Sequence, residues 1–218
     1  MRELVTSLHP SLIKDNVADF LRAEIVSGRL KPGDPIVEGQ WAKKLNVAQA
    51  SVRAALDILK SEGFVQRGSV RSLIVTAMTS EEIIANFQVR EVLEIFSARL
   101  VSQKKPNLAE LDQIVADMQS AVDLRNLQAF YQRDLRFHLT LCRLTGNPVL
   151  ERMLTRLLVP LFAFVIMRAH DTMDDSARWP NSVDKHRQIV RALREDEVEV
   201  AVQKVSNIIG YFSGDISE

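Results

Sequence analysis

Apolar residues recur at helical spacing through almost all of the second part of the chain, and this periodicity limits the fold more than any other feature. From Thr79 onward only short punctuations break it: Lys105-Pro106-Asn107, Asp123 to Asn126, Gly146-Asn147-Pro148 and Asp171 to Pro180. Pro and Gly in such clusters end helices. The spacing predicts helices near 80–104, 107–124, 126–145, 147–170, 180–195 and 196–213, whose short connections make antiparallel neighbours. The fold class is therefore mainly α, with an antiparallel all-α bundle over residues 79–218. The most apolar run, Leu157–Met167, is bounded by Arg156 and Arg168 and contains Pro160. Spanning a bilayer takes about 20 apolar residues, so this run reads as a buried core helix and no membrane partner is expected.

Residues 1–78 read differently. A helical stripe at Leu12, Ile13, Val17, Phe20, Leu21 and Ile25 ends at Gly28. Pro32, Gly33 and Pro35 then force an irregular connector. A short helix over 38–45 buries Trp41, Ala42 and Leu45, and Asn46 stands where a left-handed residue closes a helix. A third helix runs over 49–62, with Val52, Ala55, Leu56 and Leu59 on its inner face and Gly63 as its stop. Phe64–Arg67 and Leu73–Thr76, around the turn-like Gly68–Ser72, read as a β-hairpin. It is the only β-structure the pattern supports. Three helices and a hairpin in this order make a winged helix-turn-helix.

Such a unit can lay one face of its third helix in the DNA major groove while the other packs on the first two. The outward positions are Gln49, Ala50, Arg53, Asp57 and Lys60. Gln49, Ala50, Ser51 and Arg53 form the first turns, where base contacts concentrate. Gln49 suits adenine N6/N7 and Arg53 suits guanine O6/N7 or a phosphate. Arg67 and Arg71 on the hairpin suit phosphates or the minor groove. Taken alone, 49–62 is equally an amphipathic helix with a solvated face. The formal net charge of zero does not advertise nucleic acid, yet residues 1–76 carry 11 basic against 8 acidic groups and the remainder 17 against 20. One cysteine, Cys142, excludes an intrachain disulfide, and a reducing, cytoplasmic setting is the default expectation.

Several segments carry a family resemblance. Ser27-Gly-Arg-Leu-Lys-Pro-Gly-Asp34, Val37-Glu38, Trp41-Ala42, Leu45-Asn-Val47, Val52-Arg53, Ala55-Leu56, Leu59 and Glu62-Gly63 closely resemble the GntR family of bacterial regulators. The likeness covers nearly all of residues 12–76. It implies DNA binding as a homodimer on a palindromic operator, in the role of a transcription regulator, usually a repressor. One stretch departs: where the family often has Ser-Arg-Thr-Pro-Val-Arg-Glu, this chain has Ala48-Gln-Ala-Ser-Val-Arg-Ala54. The first family arginine is Gln49 and the second is kept as Arg53, so the operator sequence cannot be carried over from relatives.

In the second part, Asp134 and His138 sit at i and i+4, the right separation for two ligands of one metal. A lone pair of this kind is more often a surface interaction. Arg90 interrupts the inward stripe Ile83, Phe87, Leu93. It either pairs with Glu94 at i+4 or offers a planar fork to an effector carboxylate. Arg90-Glu-Val-Leu-Glu94, Asp134-x-x-Phe-His138, Leu144-Thr-Gly-Asn-Pro148 and Asp184-Lys-His186 resemble the FCD effector domain, the mark of the FadR-like branch of the GntR family. The resemblance implies six or seven helices around a cavity for a small organic acid, and a divalent cation (zinc, nickel or manganese) held by one Asp and three His. Three of those ligands map onto Asp134, His138 and His186. The fourth falls about 21 residues after His186, where Asn207 stands, a weaker amide-oxygen donor or effector contact.

Two other functions compete with a ligand-controlled regulator. A metal-dependent hydrolase could use Asp134, His138 and His186 around an activated water, but no further general base or oxyanion motif accompanies them. It would also leave residues 12–76 without a role. A metal-sensing regulator, with the ion itself as signal, shares every residue of the main reading.

Overall fold

A computed structural model describes residues 10–68, 73–169, 178–195 and 197–214. The chain forms two compact units: Met1–Met78 with Ala163–Asp171, and Thr79–Phe162 with Thr172–Glu218.

In the first unit, α1 (Pro10–Val26), α2 (Glu38–Leu45) and α3 (Gln49–Ser61) pack around one small core. Helical spacing puts Val17, Ala18, Leu21 and Ile25 of α1 inside, against Val52, Ala55, Leu56 and Leu59 of α3. A fork closes one end of this pair, with Arg22 Nε donating to Glu62 Oε2 (2.9 Å) and Nη2 to Oε1 (2.8 Å). The turn from α2 to α3 depends on Asn46, held left-handed at φ 53°. Asn reaches that conformation at less cost than other non-glycine residues. Gly63 (φ 80°) turns the chain out of α3, and the Thr76 hydroxyl donates to its carbonyl (2.5 Å).

The sheet differs from expectation. The hairpin strands β2 (Val65–Arg67) and β3 (Leu73–Val75) are joined by a third, β1 (Pro35–Ile36), giving the antiparallel order β1-β3-β2. The connector expected to be irregular thus contains a strand, with Pro35 opposite Ile74 and Ile36 opposite Leu73. Two residues are too few to show alternation, and the proline opens an edge strand, where no ladder N–H is lost. Ile36 is buried and anchors the pairing.

The second unit opens on a reciprocal cap. Thr79 Oγ1 accepts from the Glu82 N–H (3.2 Å), and the Thr79 N–H donates to Glu82 Oε2 (2.8 Å). From there α4 (Ser80–Lys104) runs to a left-handed Lys105 (φ 48°), and Pro106 prevents continuation. α5 (Ala109–Asp123), α6 (Leu127–Leu144), α7 (Pro148–Ala169), α8 (Arg178–Arg194) and α9 (Val198–Gly214) follow. α4 packs on α6, α8 and α9, and α5 on α6 and α8. Leu150, Leu154, Leu158 and Phe162 of α7, each four residues after the last, close over Cys142 with Leu93, Leu135 and Leu139 at the margin. This apolar floor lies beside the buried charges described next.

Candidate functional site

Two groups of polar residues stand out, one exposed on α3 and one buried in the bundle. On α3, Gln49, Ala50, Arg53, Asp57 and Lys60 are exposed and Ser51 is half-buried, as a helix with Val52, Ala55, Leu56 and Leu59 inside requires. Arg67 is exposed at the end of β2, while Arg71 lies outside the described residues. Gln49 and Arg53 are not bare side chains. Both donate to Glu38, the first residue of α2. This partner was missed in the sequence because it sits 11 and 15 residues away, across the turn.

The buried group is built by two helices with matching stripes. On α6, Phe130, Asp134, Phe137, His138 and Leu141 share one inward face; on α8, Ser182, His186, Ile189 and Leu193 share another. Asp134, His138 and His186 are each no more than 1% exposed, which removes the surface-pair reading. Asp134 Oδ1 lies 2.9 Å from His186 Nε2 and 3.2 Å from His138 Nε2, and the two Nε2 atoms are 3.4 Å apart. Three ligands of a cation at about 2.0–2.1 Å stand about 3.3 Å apart if tetrahedral and about 2.9 Å apart if cis-octahedral. The observed triangle falls in that range.

The surroundings fix which atoms face the centre. Glu94 is paired with His138 Nδ1 and with Arg90 Nε (2.6 Å). Burial would push the Glu94 carboxyl up, but the charges of His138 and Arg90 win and hold it at about 2. Glu94 is therefore an acceptor, His138 Nδ1 carries the proton, and Nε2 is turned to the cluster. His186 Nδ1 lies 2.7 Å from the Ser182 carbonyl, which can only accept, so its Nε2 is likewise free. A carboxylate or carbonyl behind each imidazole is the arrangement that orients histidines where they bind a metal. Asp134, despite burial, is held well below the usual carboxylate range by His186 and His138.

Distance and angle disagree at Asp134. Both ring nitrogens are within ion-pair range, yet neither carboxylate oxygen receives a well-directed hydrogen bond among the described residues. The ring nitrogens lie close to the carboxylate oxygen without directing a hydrogen bond to it. Three buried acceptors facing one another need a positive charge between them. Burial would lower the His138 pKa, but Glu94 and Asp134 raise it, so a proton is one way to supply that charge. A divalent cation is the other, and the donor set fits it.

Arg90 is 2% exposed. It makes the expected pair with Glu94, and its guanidinium lies 5.0 Å from the Phe162 ring centroid and 5.7 Å from that of Phe87. Its Nη2 has no hydrogen-bond partner among the described residues. Asn207 requires correction. It is exposed, its Oδ1 accepts from Gln203 Nε2 (2.9 Å), and the structure does not bring it to the cluster. Among the described residues of α9 the buried positions are Ala201, Val205, Ile208 and Ile209, all apolar, and Asn207 lies on the other face. Asn207 is thus not placed as a fourth ligand of this cluster.

No helix among the described residues is long and apolar enough to cross a membrane. Residues 13–75 match the family model "Bacterial regulatory proteins, gntR family", and residues 85–210 match "FCD domain". The chain is 25% identical to the gluconate operon transcriptional repressor of Bacillus subtilis, over 87% of its own length and 79% of that protein. It is 24% identical to the probable D-xylose utilization operon transcriptional repressor of Paenarthrobacter nicotinovorans, over 92% and 87%. Among solved structures, E. coli McbR/YncC superposes with a TM-score of 0.71 at 18% identity, covering 94% and 97%, a likeness of fold. The hydrolase reading finds no support in these relatives. The chain belongs to the GntR family of bacterial regulatory proteins and is a DNA-binding transcription regulator with an FCD domain.

Proposed function

We propose that this regulator is a repressor whose hold on a palindromic operator is controlled by a small hydroxylated monocarboxylate bound beside a divalent cation in the bundle. The observation that carries the reading is the buried charge pattern. Arg90 contributes one positive charge and Glu94 and Asp134 two negative ones, with the imidazoles neutral as ligands. A divalent cation held by Asp134, His138 and His186 turns this into one surplus positive charge in a water-poor interior. A buried surplus charge calls for a counter-ion. A monoanion that reaches both the cation and the unpartnered Nη2 of Arg90 supplies it. Gluconate, for which the operon of the Bacillus subtilis relative is named, is an acid of this kind. When bound, the cation would polarise and orient the carboxylate; Arg90 grips it, Glu94 holds Arg90 and His138 in place, and the Phe87 and Phe162 rings keep water away.

On the DNA side, Gln49 and Arg53 read base edges, Ala50 and Ser51 approach the groove wall, and Arg67 meets the backbone. Selection from random duplexes by the full chain should return a two-fold symmetric site. Arg53→Ala should bind that site roughly ten- to a hundredfold more weakly, the worth of a bidentate base contact. Equal binding by wild type and variant in an anisotropy titration removes α3 as the reading helix.

A symmetric site requires a second copy of the chain, and α4 offers the surface. Its apolar residues lie on every side, so burying Ile83, Phe87, Ala98 and Val101 still leaves Ile84, Val89, Val92 and Phe96 41–67% exposed. Those four, with Ala85 and Gln88, form one uncharged stripe on the solvent face. Glu81 and Arg99 lie at opposite ends of the same stripe, 18 residues apart or about 27 Å. An antiparallel pairing about a two-fold axis near residue 90 sets Glu81 of one copy against Arg99 of the other, as a self-complementary interface demands. Val92→Glu in the full chain should shift a micromolar sample from dimer to monomer in sedimentation. An unchanged dimer places the interface elsewhere.

A further inference from the structure

The two candidate base readers share one anchor, and the anchor is chosen so that their reading edges stay outward. Arg53 Nε donates to Glu38 Oε1 (3.2 Å) and Oε2 (3.1 Å), and Nη2 donates to Oε2 (2.9 Å). This engages the side edge of the guanidinium. It leaves Nη1 and the second Nη2 hydrogen, the end-on fork, pointing away from the carboxylate. That fork is the one that spans guanine O6 and N7. Gln49 Nε2 donates to the same Glu38 Oε2 (3.2 Å). A carboxylate accepts only, so the amide must turn its nitrogen inward and keep Oε1 and one N–H outward, the acceptor–donor pair that matches adenine N6 and N7.

We infer that Glu38 is a positioning residue for sequence readout: it touches no base, but fixes the edge Arg53 presents and the flip of the Gln49 amide before DNA arrives. Glu38 can do this because it opens α2 across the tight Asn46–Ala48 turn from the start of α3. Its side chain is 25% exposed against 63% for Arg53, so the anchor sits under the reader. Arginine and glutamine side chains are long and lose much rotamer freedom on binding, and pre-ordering them removes that loss from the recognition step. A carboxylate at a DNA surface also repels phosphates. The two effects have opposite signs on different DNA: fixing readers helps only the correct sequence, while negative charge weakens every duplex alike.

This inference rests on the reading of α3 as the recognition helix, and the test separates the two. The full chain and its Glu38→Gln and Arg53→Ala variants are titrated against the operator that wild type selects and against random-sequence duplex. Each variant's own preferred site is selected in parallel, with thermal melting as the fold control. Glu38→Gln is expected to lose about tenfold on the operator, to hold or gain slightly on random DNA, and to select a site with weakened preference at the bases read by Arg53 and Gln49. If Glu38→Gln gains equally on both duplexes, or keeps the wild-type ratio and selected site while Arg53→Ala loses the operator, Glu38 is only a surface charge and the inference fails alone. If neither variant changes operator binding, α3 is not the reader and both fall. A Glu38→Gln chain with lowered melting temperature is replaced by Glu38→Asp. The shorter carboxylate cannot span both partners, so it should lose preference at one of the two bases, and an unchanged site again overturns the inference.

Discussion

Arg90→Met is expected to destabilise the protein by about 3–5 kcal/mol, because it leaves the Glu94 carboxylate buried without its cation. Glu94 is 0% exposed and Arg90 2%, so water cannot replace the lost partner. His138 remains at the other oxygen, but it must then stay protonated to compensate, which competes with its service as a ligand. Arg90→Lys separates the two roles of the residue. An ammonium keeps charge near Glu94 and should recover much of the stability, yet it has no second fork to offer a carboxylate. Urea denaturation reads the first effect, and a thermal shift with gluconate on the cation-loaded protein reads the second. An Arg90→Met chain as stable as wild type contradicts the pairing described for Glu94.

Asp134→Ala is expected to abolish divalent cation binding outright. The remaining histidines come from two different helices and carry no charge as ligands, so the anionic member of the set is the one that cannot be spared. In wild type stripped with chelator, adding back manganese, nickel or zinc should give one equivalent per chain by elemental analysis. It should also raise the melting temperature, since at a hundredfold excess over Kd a ligand contributes about 2.7 kcal/mol. Asp134→Ala should show neither. The sign for the apo protein is less severe: removing Asp134 also removes two buried oxygens that lack directed hydrogen bonds. Binding of one equivalent by the variant would show that the cation sits elsewhere.

What the sequence carried and what it withheld follow from range. Local signals came through: the left-handed Asn46, the Gly63 stop and the inner face of α3 all depend on neighbours within a turn or two. Asp134 and His138 fall between Phe130, Phe137 and Leu141, so their burial could have been read from the stripe itself. The pair β1–β3 could not, because two residues carry no period and their partner lies nearly 40 residues on. Glu94 was seen only as the local mate of Arg90; its hold on His138 spans 44 residues. A second charge one turn after a buried arginine was the available hint. The placement of Asn207 was not legible from spacing between helices: near 100° per residue, one position separates the inner face, where Ile208 lies, from solvent, where Asn207 lies.

Control of DNA binding from the bundle implies reciprocity, because an effector that lowers operator affinity must be bound less tightly by the operator complex. The most direct test is operator affinity of the full-length, cation-loaded protein, measured by anisotropy at fixed ionic strength with and without saturating gluconate, and again in Arg90→Lys. The account predicts at least a fivefold fall in affinity for wild type, about 1 kcal/mol of coupling, and no fall for the variant. Gluconate that stabilises the wild-type protein in a melting experiment yet leaves its operator affinity unchanged would contradict it.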